Sequence, residues 1–138
     1  MSLENFFHSM EMGLVNFGRR LCRDPRADLR DAVEEVQKQL HREREILRRC
    51  QEKMAELRQR VRASEERAAL LGSRIESFLY VQDSASAYDH ALELDNTRRR
   101  LADDREGLRR ALRVERECLD LIRGLERRYD ELQMQLRG

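Results

Sequence analysis

The residues with the most specific chemistry lie within positions 1–24 of the 138-residue chain. On a helical wheel at about 100° per residue, the large apolar side chains of this segment fall on one stripe. The stripe contains Leu3, Phe6, Phe7, Met10, Leu14, Phe17 and Leu21. Arg19, Arg20 and Arg23 lie on the opposite side, at the C-terminal end of the segment. A phenylalanine-rich stripe followed by arginines is typical of a helix that lies in the surface of an anionic membrane.

The periodicity of this segment leaves a second interpretation open, because a buried face and a membrane-facing face have the same pattern. The stripe could instead pack as a third core helix against the rest of the chain. Gly13 and Gly18 each lower helix stability by ~1 kcal/mol, which favours a segment that becomes ordered only when it docks. Asp24 and Pro25 follow as an elbow, with Asp24 as the cap and Pro25 in the first turn of the next helix.

The composition indicates long helices with a narrow apolar seam. Charged residues make up 40% of the chain and aromatic residues only 5%, a profile typical of coiled coils. The 28 basic and 27 acidic residues are intermixed, so the chain offers no broad positive field for nucleic acid. Arg98–Arg100 is the longest basic run, but Asp103 and Asp104 follow it, which indicates a solvated helix face. We therefore expect no nucleic-acid partner.

A heptad repeat runs through the first arm after Pro25. Its positions are Leu29, Val33, Val36, Leu40, Glu43, Leu47, Cys50, Met54, Leu57, Val61, Ser64, Ala68, Leu71, Ile75 and Phe78. The steps between them alternate between four and three residues, which is the spacing of a supercoiled seam. Only Glu43 and Ser64 are polar.

The second arm carries apolar positions that match the first arm in reverse order. They are Ala91, Leu94, Leu101, Leu108, Leu112, Leu119, Ile122, Leu125, Tyr129, Leu132 and Leu136. One antiparallel register places Phe78 beside Ala91 and Leu57 beside Leu112. The turn falls near residues 82–86, where Asp83, Ser84 or Ser86 can cap the second helix and Ser86 with Asp89 resembles a capping box.

The sequence thus predicts an all-α fold, a long antiparallel coiled-coil helical hairpin preceded by an N-terminal amphipathic helix. Residues 1–24 form the amphipathic membrane-interacting helix and residues 25–138 form the hairpin. No apolar stretch is long enough to span a bilayer, and Glu4 and Glu11 make the N-terminus a poor secretory signal. We expect no enzyme, cofactor or metal site, because His8, His41 and His90 are isolated from one another and from the cysteines.

One short stretch carries a family resemblance. It runs Asp24-Pro25-Arg26-Ala27-Asp28-Leu29-Arg30 and continues through Val33, Glu34-Glu35-Val36 and Leu40. This stretch resembles the Asp-Pro elbow of the phage shock protein A family, bacterial relatives of the ESCRT-type membrane-remodelling proteins. That family usually continues beyond the hairpin into further helices, so the chain is similar to a short form that lacks them.

The resemblance implies a stress-response protein whose N-terminal helix binds stressed or anionic membrane and whose hairpins assemble side by side. It implies a cytoplasmic protein, peripheral on the inner face of the plasma membrane, that forms homo-oligomers or co-assembles with related hairpins. The alternative is a soluble coiled-coil regulator that binds a protein partner such as a AAA+ transcriptional activator. A third possibility is a structural dimerisation coiled coil.

Overall fold

The computed structural model describes residues 24–138, and all but five of these residues are α-helical. Helix α1 spans Pro25–Tyr80 and helix α2 spans Ser84–Arg137. No β-strand occurs among the described residues. The all-α prediction is confirmed for this part of the chain, and the two long helices pack together. They contribute to two compact units: residues 24–49 with 114–138 form the first unit, and residues 50–113 form the second.

Asp24 and Pro25 occupy the cap and the first residue of α1. The backbone N–H of Ala27 donates to Asp24 Oδ1 at 3.3 Å, and the N–H of Asp28 donates to the Asp24 carbonyl at 3.1 Å. Pro25 has no N–H to donate, but a helix leaves its first N–H groups without partners in any case. The local sequence therefore sets the start of the helix by side-chain capping.

The predicted seam of α1 is confirmed at every position. Each of its fifteen residues from Leu29 to Phe78 is buried or half-buried, and Leu71 has an exposure of 0%. The residues between them are mostly exposed charged side chains. A repeat of four and three keeps one face of a helix directed at its neighbour, so burial follows the spacing and not the local hydrophobicity alone.

The seam of α2 follows the same alternation but includes polar residues that the sequence prediction skipped. The observed positions are Ala87, His90, Leu94, Thr97, Leu101, Asp104, Leu108, Ala111, Glu115, Cys118, Ile122, Leu125, Tyr129, Leu132 and Leu136. Thr97 is only 2% exposed, and its hydroxyl donates to the Glu93 carbonyl at 2.9 Å. Polar side chains that bond to their own helix can thus take seam positions without leaving an unpaired group.

The two predicted pairings within the second unit are wrong, by one residue at Phe78 and by five residues, more than one helical turn, at Leu57. Ala91 is exposed, and Phe78 instead contacts His90, with 4.9 Å between ring centroids. A Cβ placed on Gly107 would lie 3.7 Å from both terminal methyl carbons of Leu57, so Leu57 packs near Gly107 and not Leu112. The shift arises because the apolar pattern omits the polar seam positions and because the turn is shorter than predicted.

The turn contains only Val81, Gln82 and Asp83. The N–H of Asp83 donates to the Phe78 carbonyl at 2.8 Å and the N–H of Gln82 donates to the Leu79 carbonyl at 3.1 Å. These two bonds and the positive φ of 60° at Gln82 form a Schellman motif, which satisfies the last carbonyls of α1.

Asp83 also starts the next helix, because its Oδ1 accepts the N–H of Ser86 at 3.1 Å. Hydrogen bonds from the Ser86 side chain and backbone lower the pKa of Asp83, as expected for a charged cap at a helix N-terminus. Asp83 therefore ends one helix and caps the other. Of the three cap candidates Asp83 is the cap, whereas Ser84 and Ser86 belong to α2 itself.

The first unit has an apolar core in which the two helices run antiparallel. Its buried residues are Ala32, Val33, Val36, Leu40, Leu121, Ile122, Leu125 and Leu132. At its surface the Arg44 guanidinium pairs with Glu126 at 3.2 Å, and Gln37 Nε2 donates to the Tyr129 hydroxyl at 3.4 Å. These pairs join residues early in α1 to residues late in α2, as antiparallel packing requires.

Glu43 is a buried carboxylate on the seam of this unit, with 9% exposure. Burial raises the pKa of the Glu43 carboxyl, and a hydrogen bond from the Cys118 thiol opposes that rise. A buried charge with one weak donor is costly, because desolvation is only partly compensated. Polar seam residues of this kind restrict register at the expense of stability.

Ion pairs flank the seam of the second unit. Arg105 pairs with Glu65 at 3.0 Å, and Arg67 pairs with Glu93. All four side chains are substantially exposed, so each pair contributes only ~0.2–1 kcal/mol. Their spacing is that of antiparallel neighbours on either side of the apolar layers.

We predict that Gln82→Gly raises the free energy of unfolding by up to ~1 kcal/mol, because a left-handed conformation strains any residue with a Cβ. The greater freedom of glycine in the unfolded chain offsets part of this gain. Gln82→Val should be destabilising, since a β-branched side chain tolerates positive φ poorly. Thermal unfolding followed by circular dichroism measures both variants; a stabilising valine would contradict the assigned turn.

We predict that Gly107→Ala stabilises the chain by ~1 kcal/mol, because alanine is the better helix former and its methyl would meet Leu57 at ordinary contact distance. Gly72→Ala is the matched comparison, since nothing lies within 4 Å of a Cβ at Gly72. Gly72→Ala should be stabilised only by the higher helix propensity of alanine. A destabilising Gly107→Ala beside a stabilising Gly72→Ala would show that Leu57 has no room for the methyl group.

We predict that Glu43→Leu stabilises the chain at pH 7 by roughly 1–2 kcal/mol, because an apolar side chain replaces a desolvated carboxylate. Glu43→Gln should also stabilise, and its advantage over the original chain should grow as the pH rises. At low pH the glutamate is protonated in both states and carries no penalty. As the pH rises through its unfolded pKa and then its raised folded pKa, stability is lost.

Denaturant unfolding between pH 3 and pH 8 tests the Glu43 prediction, with Glu66→Gln as the exposed control. The control should leave the pH profile unchanged. A Glu43→Gln profile parallel to that of the original chain would contradict the assigned burial of the charge.

Candidate interaction surface

Only two of the candidate site residues from the sequence lie in the part of the chain that the structure describes. Asp24 and Pro25 are at the start of α1, where they cap and open the helix. The other candidates lie outside the described residues: Leu3, Phe6, Phe7, Met10, Leu14, Phe17, Leu21, Arg19, Arg20 and Arg23. Their role in membrane binding stays a prediction from the sequence.

The structure reveals a second apolar surface, around the turn between the helices. We call it the turn surface, and it consists of Leu79, Tyr80, Val81, Tyr88 and Leu92. Tyr80 is 89% exposed and Leu92 is 50% exposed. Single exposed apolar residues are ordinary, but a group of large ones in one short segment makes the turn surface a candidate interaction site.

The exposure of the turn surface follows from the seam. Phe78 and Ala87 take the seam positions nearest the turn, so the next residues in each helix point away from it. Tyr88 and Leu92 are four residues apart on α2 and therefore lie on one outer face. Sequence reasoning missed the surface because its residues have no repeat of their own.

The charge around the turn is acidic. Residues 75–97 contain no lysine or arginine, although the whole chain has 28. The acidic residues of this segment are Glu76, Asp83, Asp89, Glu93 and Asp95. Arg67 pairs with Glu93 and lowers its pKa through a hydrogen bond, and Arg99 pairs with Asp95 at 3.0 Å. Glu76, Asp83 and Asp89 remain as acidic residues near the turn surface, a signal that the sequence alone already contains.

A shallow polar groove of about 610 Å³ lies in the first unit. Gln37, Leu40, His41, Arg44, Glu126, Tyr129 and Asp130 line it. The Tyr129 hydroxyl accepts from Gln133 Nε2 at 3.0 Å, and Arg44 pairs with Glu126. The polar groups of Gln37, Arg44, Glu126 and Tyr129 are therefore paired within the protein.

Residues 24–138 contain no group of three or more His, Cys, Asp or Glu residues arranged to hold a metal ion. The His90 ring contacts Phe78, and its Nδ1 lies 2.8 Å from the Ser86 carbonyl oxygen. His90 is therefore part of the helix packing. Within the same range, neither helix contains a stretch long and apolar enough to cross a bilayer.

Comparisons of the whole chain with protein-family models, with curated proteins and with solved structures give no match. The inferences about function therefore rest on the residues of this chain and on the resemblance of its Asp24-Pro25 stretch to the phage shock protein A family.

Proposed function

We propose that this chain is a peripheral membrane protein of the phage-shock type. Its N-terminal segment binds anionic membrane, and its helices form an antiparallel coiled coil that assembles with further copies or with related hairpins. The assembled protein protects or remodels stressed membrane.

The observation that carries the proposal is that the described helices bury their seam against each other. Every seam position from Leu29 to Phe78 is buried or half-buried. In the proposal this helix pair is the scaffold, and the stripe from Leu3 to Leu21 supplies the membrane contact. A phenylalanine-rich stripe followed by arginines matches the surface of an anionic membrane.

The alternation of burial supports a coiled coil as the form of the helix pair. Both helices have buried positions in steps of three and four, and the ion pairs flank them on either side. A repeat of 3.5 residues on helices of 3.6 residues per turn is accommodated by a left-handed supercoil.

Membrane binding in this proposal combines apolar insertion with charge attraction. Phe6, Phe7 and Phe17 would sit at the boundary between headgroups and acyl chains, with the aliphatic residues of the stripe beside them. Arg19, Arg20 and Arg23 would contribute ~1 kcal/mol each on an anionic surface. The cytoplasmic leaflet of the plasma membrane carries such a negative potential, which favours a cytoplasmic protein bound to its inner face.

A second candidate function is regulation of another protein, such as a AAA+ transcriptional activator, by the helix pair. The exposed turn surface favours it, since large apolar side chains on a monomer surface commonly mark protein contacts. Binding of the activator by the full chain in the absence of lipid, combined with no affinity for vesicles, would favour this function over membrane binding.

We predict that the full chain floats with anionic vesicles and that Phe7→Glu and Phe17→Glu together lower the bound fraction at least ~tenfold. Each substitution removes an aromatic contact worth ~1.5–3 kcal/mol and adds a charge of the wrong sign. A flotation assay with vesicles of neutral lipid, and of neutral lipid plus phosphatidylglycerol, measures the partition directly.

The matched control for flotation is Met134→Glu, which alters a side chain on α2 that is 72% exposed. It should leave the bound fraction unchanged, and circular dichroism should show equal helix content for all variants. Equal flotation of the double phenylalanine variant and the original chain would remove the proposed mechanism.

A further inference from the structure

The turn surface has no role in the proposed membrane contact, yet its chemistry defines a partner. Tyr80, Tyr88 and Leu92 require apolar contact, and the acidic residues around them require positive charge. The fitting partner is a segment that presents a large apolar face beside arginines or lysines. An anionic membrane does not fit, because the carboxylates of Glu76, Asp83 and Asp89 would repel it.

We propose that the turn surface binds the N-terminal segment, residues 3–23, of a second copy of this chain. This segment has the required chemistry: its apolar stripe contains three phenylalanines, and three arginines follow in the last five of its residues. The arginines are the complement of the acidic residues on the turn surface. No external partner is needed to supply this combination.

The contact combines two physical contributions. The first is burial of the phenylalanine-rich stripe on Tyr80, Tyr88 and Leu92, with aromatic pairs that add to the effect of the area they bury. The second is pairing of arginines with carboxylates such as Asp89 and Glu76, and stacking of guanidinium groups on tyrosine rings. A positive charge placed on the turn surface should weaken both contributions, because it replaces apolar contact and repels the arginines of the segment.

The contact joins two different surfaces, so each copy offers one donor segment and one acceptor surface. Such a heterologous contact produces open chains of molecules, or a ring if the rotation between neighbours closes. Assembly should therefore increase with protein concentration, and salt should weaken it because the arginine–carboxylate pairs are screened.

Docking on the turn surface requires no lipid, so it stands apart from the proposed membrane function. Both contacts use the same stripe, however, and one segment cannot satisfy both at once. Anionic vesicles should compete with the turn surface for the segment. On anionic vesicles the N-terminal segment would then leave the turn surface of the neighbouring copy and bind the membrane.

Sedimentation velocity of the full chain tests the docking, with variants that place a positive charge on the turn surface. Tyr80→Arg and Leu92→Arg should each lower the association constant at least ~tenfold, since they replace apolar contact with repulsion of the incoming arginines. Met134→Arg is the matched control, because it adds the same charge at a position of α2 outside the turn surface whose exposure, 72%, lies between those of Leu92 and Tyr80. It should leave association unchanged.

A charge exchange gives a second test, in which recovery of association in the doubly changed chain shows that the single changes did not act by unfolding the protein. Asp89→Arg and Arg20→Asp should each weaken association, and the chain that carries both changes should recover it. A labelled synthetic peptide of residues 1–24 gives a third test, as it should bind the full chain and bind Tyr80→Arg at least ~tenfold more weakly.

Three outcomes would overturn the proposal: a chain that stays monomeric at all concentrations, turn-surface variants that associate as the original chain does, or a Met134→Arg chain that is weakened equally. Flotation of the turn-surface variants, measured in parallel, separates this result from membrane binding. If the turn-surface variants float and associate as the original chain does, the docking proposal is wrong and the proposed membrane binding is unaffected.

Discussion

The structure depends on one constraint, the alternation of three and four residues between the buried positions of both helices. In each unit this alternation keeps one narrow face of α1 against one narrow face of α2. Since the seam is narrow, most remaining side chains are charged and exposed, and the high charge of the chain follows directly. The same narrowness leaves the rest of each helix surface available for contacts beyond the pair.

The seam fixes which faces meet, but polar groups and the turn decide where along the helices they meet. Asp83 completes the motif that ends α1 and caps α2, which leaves a turn of only three residues. Glu43 and Thr97 take buried positions at which a slipped register would leave polar atoms against different neighbours. These buried polar residues lower the stability of the helix pair, and they also reduce the number of alternative registers in which the two helices could pair.

The sequence predicted the helices and the full seam of α1, and it offered Asp83 as one of three caps for α2, because heptad spacing and capping chemistry are local signals. It did not predict the register of the second unit. Residues such as His90, Thr97 and Asp104 occupy seam positions because geometry places them there, and a search for apolar residues passes over them. The turn surface was missed for the opposite reason: Tyr80 and Leu92 are apolar residues outside the repeat. Both errors come from treating hydrophobicity as equivalent to burial.

In the proposed function, α1 and α2 bury one seam between them and the N-terminal stripe binds membrane. Hydrogen–deuterium exchange of the full chain, with and without anionic vesicles, tests this division of roles most directly. The account predicts that amides of residues 3–21 gain protection when vesicles are added, while those of Leu29 to Phe78 keep the protection they already have. Loss of protection along α1 on vesicle binding would show that the stripe belongs to the core, and the account would be contradicted.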